Sequence, residues 1–240
     1  MSEPTKTPVD AKSLDKVVGG SGSYLKGTEG ADSVQGTAGA DLIMTYGGND
    51  YVQGGGGSDN IQAGAGNDAV LAGDGDDYVN ADAGDDYVEG NAGNDVLYGG
   101  DGQDALVGGT GNDNINGGAG VDFVDGGDGN DTLMGSSVPD HVADSAFGGA
   151  GNDLYAWQPG SGNDYFEGGQ GQDSVALMGV SMDQLRGGLQ VYDQGLQMHV
   201  AGDNSVSFTN AAGQPATFSG QFSIGGETLR FDNVEAIRLY

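Results

Sequence analysis

The sequence predicts an all-β solenoid closed at its C-terminal end by a β cap, and three observations carry that prediction. Aspartate recurs every nine residues from Asp32 to Asp131, twelve times without a miss. Each of these aspartates follows a glycine by two residues and precedes a Val, Ile or Leu by two. Glycine supplies 50 of the 240 residues, about three times ordinary usage. Collagen would need glycine every third residue and abundant proline, and a disordered tract has no need of aliphatic residues at fixed intervals. A strict period carrying turn formers and one apolar residue per unit is the mark of stacked repeats.

Residues 1–17 read as a polar, flexible leader. They hold Lys6, Lys12 and Lys16 but no apolar run, so no cleaved secretory signal is visible. The repeat region spans 18–178. It opens on VGGSGSYLK (18–26), with Leu25 in phase but Ser23 where aspartate belongs. The twelve regular units follow, the best kept being GGDGQDALV (99–107), GGTGNDNIN (108–116) and GGDGNDTLM (126–134). GSSVPDHVA (135–143) keeps Asp140 and Val142 in register but has Val138 in place of the inner glycine. Four extra residues, Asp144 to Phe147, then precede GGAGNDLYA (148–156). Trp157 and Gln158 are a second insertion before PGSGNDYFE (159–167) and GGQGQDSVA (168–176).

Residues 179–240 differ in kind. Leu196, Met198 and Val200 alternate with polar residues, as do Val206 and Phe208, Phe222 and Ile224, Leu229 and Phe231, and Ile237 and Leu239. That period of two predicts half-buried strands, arranged as an antiparallel cap over the open end of the solenoid.

Within a unit, glycines at the first, second and fourth positions permit positive φ and a tight turn with its carbonyls turned inward. Aspartate at the sixth offers a hard oxygen ligand on a short stem, suited to Ca²⁺ at about 2.3–2.6 Å. The last three residues, such as Tyr78-Val79-Asn80, make a short strand whose central aliphatic faces inward.

The charge narrows the partners. The formal net charge is −29, no Lys or Arg occurs from Gly27 to Leu185, and 27 of the 36 acidic residues lie between Glu29 and Asp173. The partner of such a stretch is cationic: metal ions, or a basic protein or polymer. Nucleic acid is excluded, because its recognition needs a basic footprint. There is no cysteine, hence no disulfide and no thiolate metal site. No run of eighteen apolar residues is present to span a membrane.

The sequence carries no sign of an enzyme. His141 and His199 are far apart, and no H-E-x-x-H, G-x-S-x-G or P-loop pattern occurs. No EF-hand loop ends in its required glutamate. Asp140, His141 and Asp144 are residue types suited to a transition metal or to acid–base work, but they read as an exposed bulge. Tyr51, Tyr78 and Tyr87, at the seventh position, are explained by strand propensity. The alternative is that they stack on an extracellular polysaccharide or a cell surface, or that the chain is an accessory module of a secreted enzyme.

The pattern G-G-x-G-x-D-x-U-x, over residues 18–176, resembles the repeats-in-toxin (RTX) family, whose repeats bind Ca²⁺. The resemblance implies a right-handed parallel β-roll, with two nonapeptides per turn and ions between turns stacked on the same side. Carried over, Asp50, Asp68, Asp86, Asp104 and Asp122 form one ladder of ligands, and Asp59, Asp77, Asp95, Asp113 and Asp131 the other. Asp41, Asp153 and Asp173 complete the implied metal-ligand set. Asp32, beside a unit without aspartate, and Asp140 and Asp164, beside departures from the pattern, stand outside it. Each ion would take carboxylates from two successive aspartates of a ladder plus carbonyls of the glycine turns. The ending ETLRFDNVEAIRLY resembles RTX tails, which implies an uncleaved type I secretion signal, an ABC-type exporter and an extracellular location. In family enzymes the roll accompanies a separate catalytic domain, for which no room remains here. Some family rolls bind ice through a threonine row, but the third position here reads Ala92, Thr110, Asp128 along one side, which makes no flat threonine face.

Magnitudes make the ions obligatory. Carboxylates repeating at the strand spacing of roughly 4.8 Å repel by about 3 kcal/mol at an effective dielectric of 20. One buried aliphatic per unit returns about 1.5–3 kcal/mol, while ordering nine residues costs on the order of 10 kcal/mol. Metal binding has to supply the difference.

Overall fold

In the computed structural model the described residues are 9–10, 22–202 and 204–240. The expected leader falls outside them, apart from the strand Val9–Asp10, which pairs in parallel with Leu25 and Lys26. The chain is a parallel β-roll. Successive units contribute strands alternately to a 13-stranded and an 11-stranded sheet. Leu97 pairs with Val79 on one side and Ile115 on the other, and Leu106 likewise with Val88 and Val124. The register step is therefore eighteen residues, two units per turn.

From Tyr51 to Asp128 each strand is six residues, longer than the three the alternation suggests. Tyr78–Ala83 and Tyr87–Ala92 run from the seventh position of one unit through the third of the next. Pairing persists through the glycines because their backbone groups continue the ladder, as where the Gly118 amide donates to the Gly135 carbonyl at 2.8 Å. The aliphatics two residues after each aspartate, Val34 through Leu133, stack into a core with almost no solvent exposure. Alternation puts the first position of the next unit inward too, so Ala63, Ala72 and Ala81 are also fully buried.

The irregular unit differs from its sequence reading. Ala146, not Val142, pairs with Val124, and Asp144, not Asp140, is buried. The four extra residues thus lie in the turn between Gly135 and Asp144. Only Ala146 is followed by Phe147-Gly148-Gly149, which continue the strand. Looping residues out in the turn keeps every rung, whereas looping them out after Val142 would break the ladder.

Toward the C-terminus the core changes from aliphatic to aromatic. Tyr155 stacks on Phe166, centroids 5.2 Å apart and planes 10° apart. Phe166 pairs with Phe231 and Val175 with Ile237, so both sheets gain one further parallel rung from 227–239. Antiparallel strands then close each sheet, with Phe222 edge-on to Trp157. Val206, Phe208, Phe222, Leu229, Phe231 and Ile237 are buried as the alternation predicts. Met198 and Val200 are not: Gln197–Val200 is an outermost strand with one partner, and both side chains are 43 % exposed. A helix, Met182–Gly188, opened by a Ser181–Gln184 capping box and burying Leu185, precedes the alternating segments.

Candidate metal centre

The turns at the two edges of the roll carry the site. The second and fourth positions sit at positive φ, which favours glycine: Gly100 has φ 121° and Gly102 φ 145°, although Tyr46, Asp82 and Asn91 also hold the second position at φ 73–75°. The first glycine has a different reason, which the sequence reading missed. Gly99, Gly108 and Gly117 are not at positive φ. A β-carbon on Gly117 would instead sit 2.5 Å from Asp122 Oδ2 and 2.7 Å from the Gly135 carbonyl oxygen. The first glycine leaves open a small space bounded by a carboxylate oxygen of its own unit and a carbonyl oxygen one turn on.

The aspartates form two continuous ladders. Along one, the Asp50 amide donates to Oδ1 of Asp68 at 2.7 Å, Asp68 to Asp86 at 2.7 Å, Asp86 to Asp104 at 2.8 Å and Asp104 to Asp122 at 2.9 Å. It continues through Asp144 to Asp164. Along the other, Asp41 donates to Asp59, Asp59 to Asp77, Asp77 to Asp95, and so on through Asp113, Asp131 and Asp153 to Asp173. The Asp173 amide donates to Glu235 of the cap at 2.6 Å, so a glutamate ends this ladder. Asp32 begins the first, its amide donating to Asp50.

These bonds use one oxygen of each carboxylate. The other, Oδ2, is buried without a hydrogen-bond partner in thirteen aspartates: Asp50, Asp59, Asp68, Asp77, Asp86, Asp95, Asp104, Asp113, Asp122, Asp131, Asp144, Asp153 and Asp173. Buried polar atoms are nearly always satisfied, and a repeated orphan acceptor beside a carbonyl is an arrangement that a cation could satisfy. Desolvation, reinforced by neighbouring carboxylates, pushes Asp122 up to about 8, and Asp77, Asp86, Asp131 and Asp144 up to about 7. Among the described residues no three acidic or imidazole side chains converge. The donor set is one carboxylate per unit with main-chain carbonyls, all hard oxygen, which suits Ca²⁺ and not a softer metal.

Three of the aspartates have other partners. Asp32 and Asp41 accept on Oδ2 from the amide and hydroxyl of Thr28 and Thr37. Asp164 Oδ2 accepts from the buried Tyr155 hydroxyl at 3.3 Å. The bulge does not assemble a site: Asp144 belongs to the ladder, while His141 is exposed and pairs with Glu227 of the cap at 2.5 Å. Tyr51 and Tyr87 stand on one sheet with Ala69 between them and Tyr78 on the other, so they form no contiguous platform.

A row at the fifth position also went unread. The Asn112 amide donates to Asn94 Oδ1 at 2.9 Å, Asn130 to Asn112 at 2.8 Å and Asn152 to Asn130 at 2.9 Å, satisfying outer turn amides from turn to turn. Its signal was present, because Asn, Asp or Gln precedes most of the aspartates.

The fold and these edges together define a β-roll built to hold cations between its turns. The family described as RTX calcium-binding nonapeptide repeat (4 copies) matches this chain in overlapping windows that together run over 18–140, then 143–155 and 160–175. The chain belongs to that family. No curated protein sequence matches it significantly. Among solved structures it aligns with the extracellular lipase LipA from Serratia marcescens at 14 % identity and a TM-score of 0.17, over 95 % of this chain and 40 % of that one. The chain thus spans less than half the length of that structure. Among the described residues no helix is long and apolar enough to cross a membrane.

Proposed function

We propose that this chain is a secreted calcium-binding β-roll whose folding is driven by several Ca²⁺ ions after export, and which acts outside the cell as a structural or interaction module without catalysis of its own. The observation that carries the reading is the row of buried, partnerless Oδ2 atoms facing main-chain carbonyls. Asp41, Asp50, Asp59, Asp68, Asp77, Asp86, Asp95, Asp104, Asp113, Asp122, Asp131, Asp153 and Asp173 are the proposed ligands, and Asp144 joins them by its place in the ladder. A bound Ca²⁺ would neutralise successive carboxylates and engage the glycine carbonyls. The tyrosines, divided between two faces, add no support to a polysaccharide-binding reading.

Single substitutions test the assignment. Asp95→Ala, Asp113→Ala and Asp144→Ala each lower the Ca²⁺ stoichiometry measured by calorimetry and raise the Ca²⁺ needed for half-folding. Asp140→Ala, in the turn, does neither. Equal effects from Asp140→Ala and Asp144→Ala would refute the placement.

Export is proposed to use the C-terminal region 179–240 as a type I signal read by an ABC-type exporter. Ile237 is fully buried between two strands in the folded chain, so the address is legible only before folding. Deleting residues from Gly179 onward therefore retains the protein in the cells, while deleting residues 2–17 leaves secretion intact. Immunoblots of medium and lysate decide it, and the opposite pattern would reject this route.

A further inference from the structure

The two ladders look uniform in sequence, yet the first position of the unit divides them. In the units of Asp95, Asp104, Asp113, Asp122, Asp131, Asp144 and Asp153 that position is glycine, from Gly90 to Gly148, and the space beside Oδ2 is open. In the units of Asp50, Asp68, Asp77 and Asp86 it is Thr45, Ala63, Ala72 and Ala81. These four side chains are fully buried and point inward at the place a β-carbon on Gly117 would fill. Thr45 fills that place with a hydroxyl as well as a methyl. The hydroxyl donates to the Ala63 carbonyl at 2.8 Å, the carbonyl one turn on that lines the equivalent space elsewhere. It also lies against the Asp50 carboxyl. It stands where a cation would.

We infer that the first residue of each unit decides which of the stacked sites takes Ca²⁺: glycine leaves the site open, while Thr45, Ala63, Ala72 and Ala81 close it. This inference rests on the calcium reading above and narrows its ligand set: Asp41, Asp50, Asp68, Asp77 and Asp86 then hold no ion. A methyl carbon offers no lone pair, and it displaces an ion from a gap only as wide as a metal–oxygen bond. Near the N-terminal end Thr28 and Thr37 already satisfy Asp32 and Asp41, which leaves Asp59 as the open site upstream of Gly90. The roll is then two materials. Residues from Gly90 to Asp173 are held by ions, apart from Asp164 with its tyrosine. Residues 45–86 hold fewer ions, leave Oδ2 of Asp68, Asp77 and Asp86 buried without a partner, and fold on a template the ions have already built.

The test is calcium counting on the full chain by calorimetry, with Ca²⁺ alone as ligand. The triple variant Ala63→Gly, Ala72→Gly, Ala81→Gly binds one further ion for each alanine removed and folds at lower Ca²⁺. Backbone freedom alone acts the other way, since added glycine destabilises the folded state, so the sign identifies the cause. The reverse triple Gly99→Ala, Gly108→Ala, Gly117→Ala loses ions, whereas Gly56→Ala, whose β-carbon would meet nothing closer than 3.8 Å, loses none. If the reverse triple fails to fold, the alanine-to-glycine triple still decides. An unchanged count in that triple, with the parent chain binding Ca²⁺, overturns the inference. A parent chain that binds no Ca²⁺ overturns the calcium reading instead.

Discussion

In EGTA at pH 8 the chain gives the far-UV circular dichroism of a disordered polypeptide, and about millimolar Ca²⁺, the range of extracellular modules, converts it cooperatively to β structure. The expectation comes from the thirteen orphaned carboxylate oxygens. Leaving a buried polar group unsatisfied costs about 1–3 kcal/mol and more when it is charged. Thirteen such groups exceed the roughly 5–15 kcal/mol by which a domain is ordinarily stable. The core cannot absorb the deficit, because each unit adds a single aliphatic stack such as Val79–Leu97–Ile115. No Lys or Arg lies between Gly27 and Leu185 to substitute for the ion. Mg²⁺ restores little structure, since it demands a tighter octahedral shell and holds its water. A cooperative β state persisting in EGTA at this pH would refute calcium-driven folding.

Acid should relieve the same deficit by another route. Burial raises the Asp122 carboxyl to about 8 and those of Asp77, Asp86, Asp131 and Asp144 to about 7, against an ordinary 3.8. A raised carboxyl binds its proton more tightly in the folded chain than in the unfolded one. The proton's stabilisation is therefore fully present below about pH 3.8 and is lost as pH rises through about 6–8. In EGTA, β content accordingly increases as pH falls from 8 to 4. Where the protonated roll has formed, calcium must displace the protons of Asp122, Asp131 and Asp144, so its binding releases them there and not at pH 8, where the calcium-free chain is unfolded and its carboxyls are already ionised. Calorimetry in buffers of different ionisation enthalpy measures the release. Calcium binding without proton release at a pH where the roll is folded in EGTA would exclude buried carboxylates as the ligands.

Much of this was legible in the chain itself. The nine-residue period named the aspartates and the aliphatic row, and the resemblance supplied the two-unit turn and both ladders, since Asp50 does stack on Asp68 and Asp59 on Asp77. The irregular unit was misread because Asp140 and Val142 satisfy the local pattern as well as Asp144 and Ala146 do. Only the need to continue into Phe147-Gly148-Gly149 separates them, and that need arises from the strand on the next turn. Met198 and Val200 alternate as convincingly as Leu229 and Phe231, but burial depends on what lies across the sheet, and Gln197–Val200 lies at its edge.

The sequence by itself determined the repeat, the alternation of turn and strand, and the acidic character that calls for cations. These are local or periodic properties, and periodicity is visible along one dimension. The tertiary structure alone decided that Asp144 enters the ladder, that Glu235 ends one ladder and Tyr155 satisfies Asp164, and that the first glycine is there for space and not for φ. Each of these is a contact between residues one turn or more apart. A carboxylate's fate is set by the carbonyl, hydroxyl or methyl the winding brings against it, and the winding exists only in three dimensions.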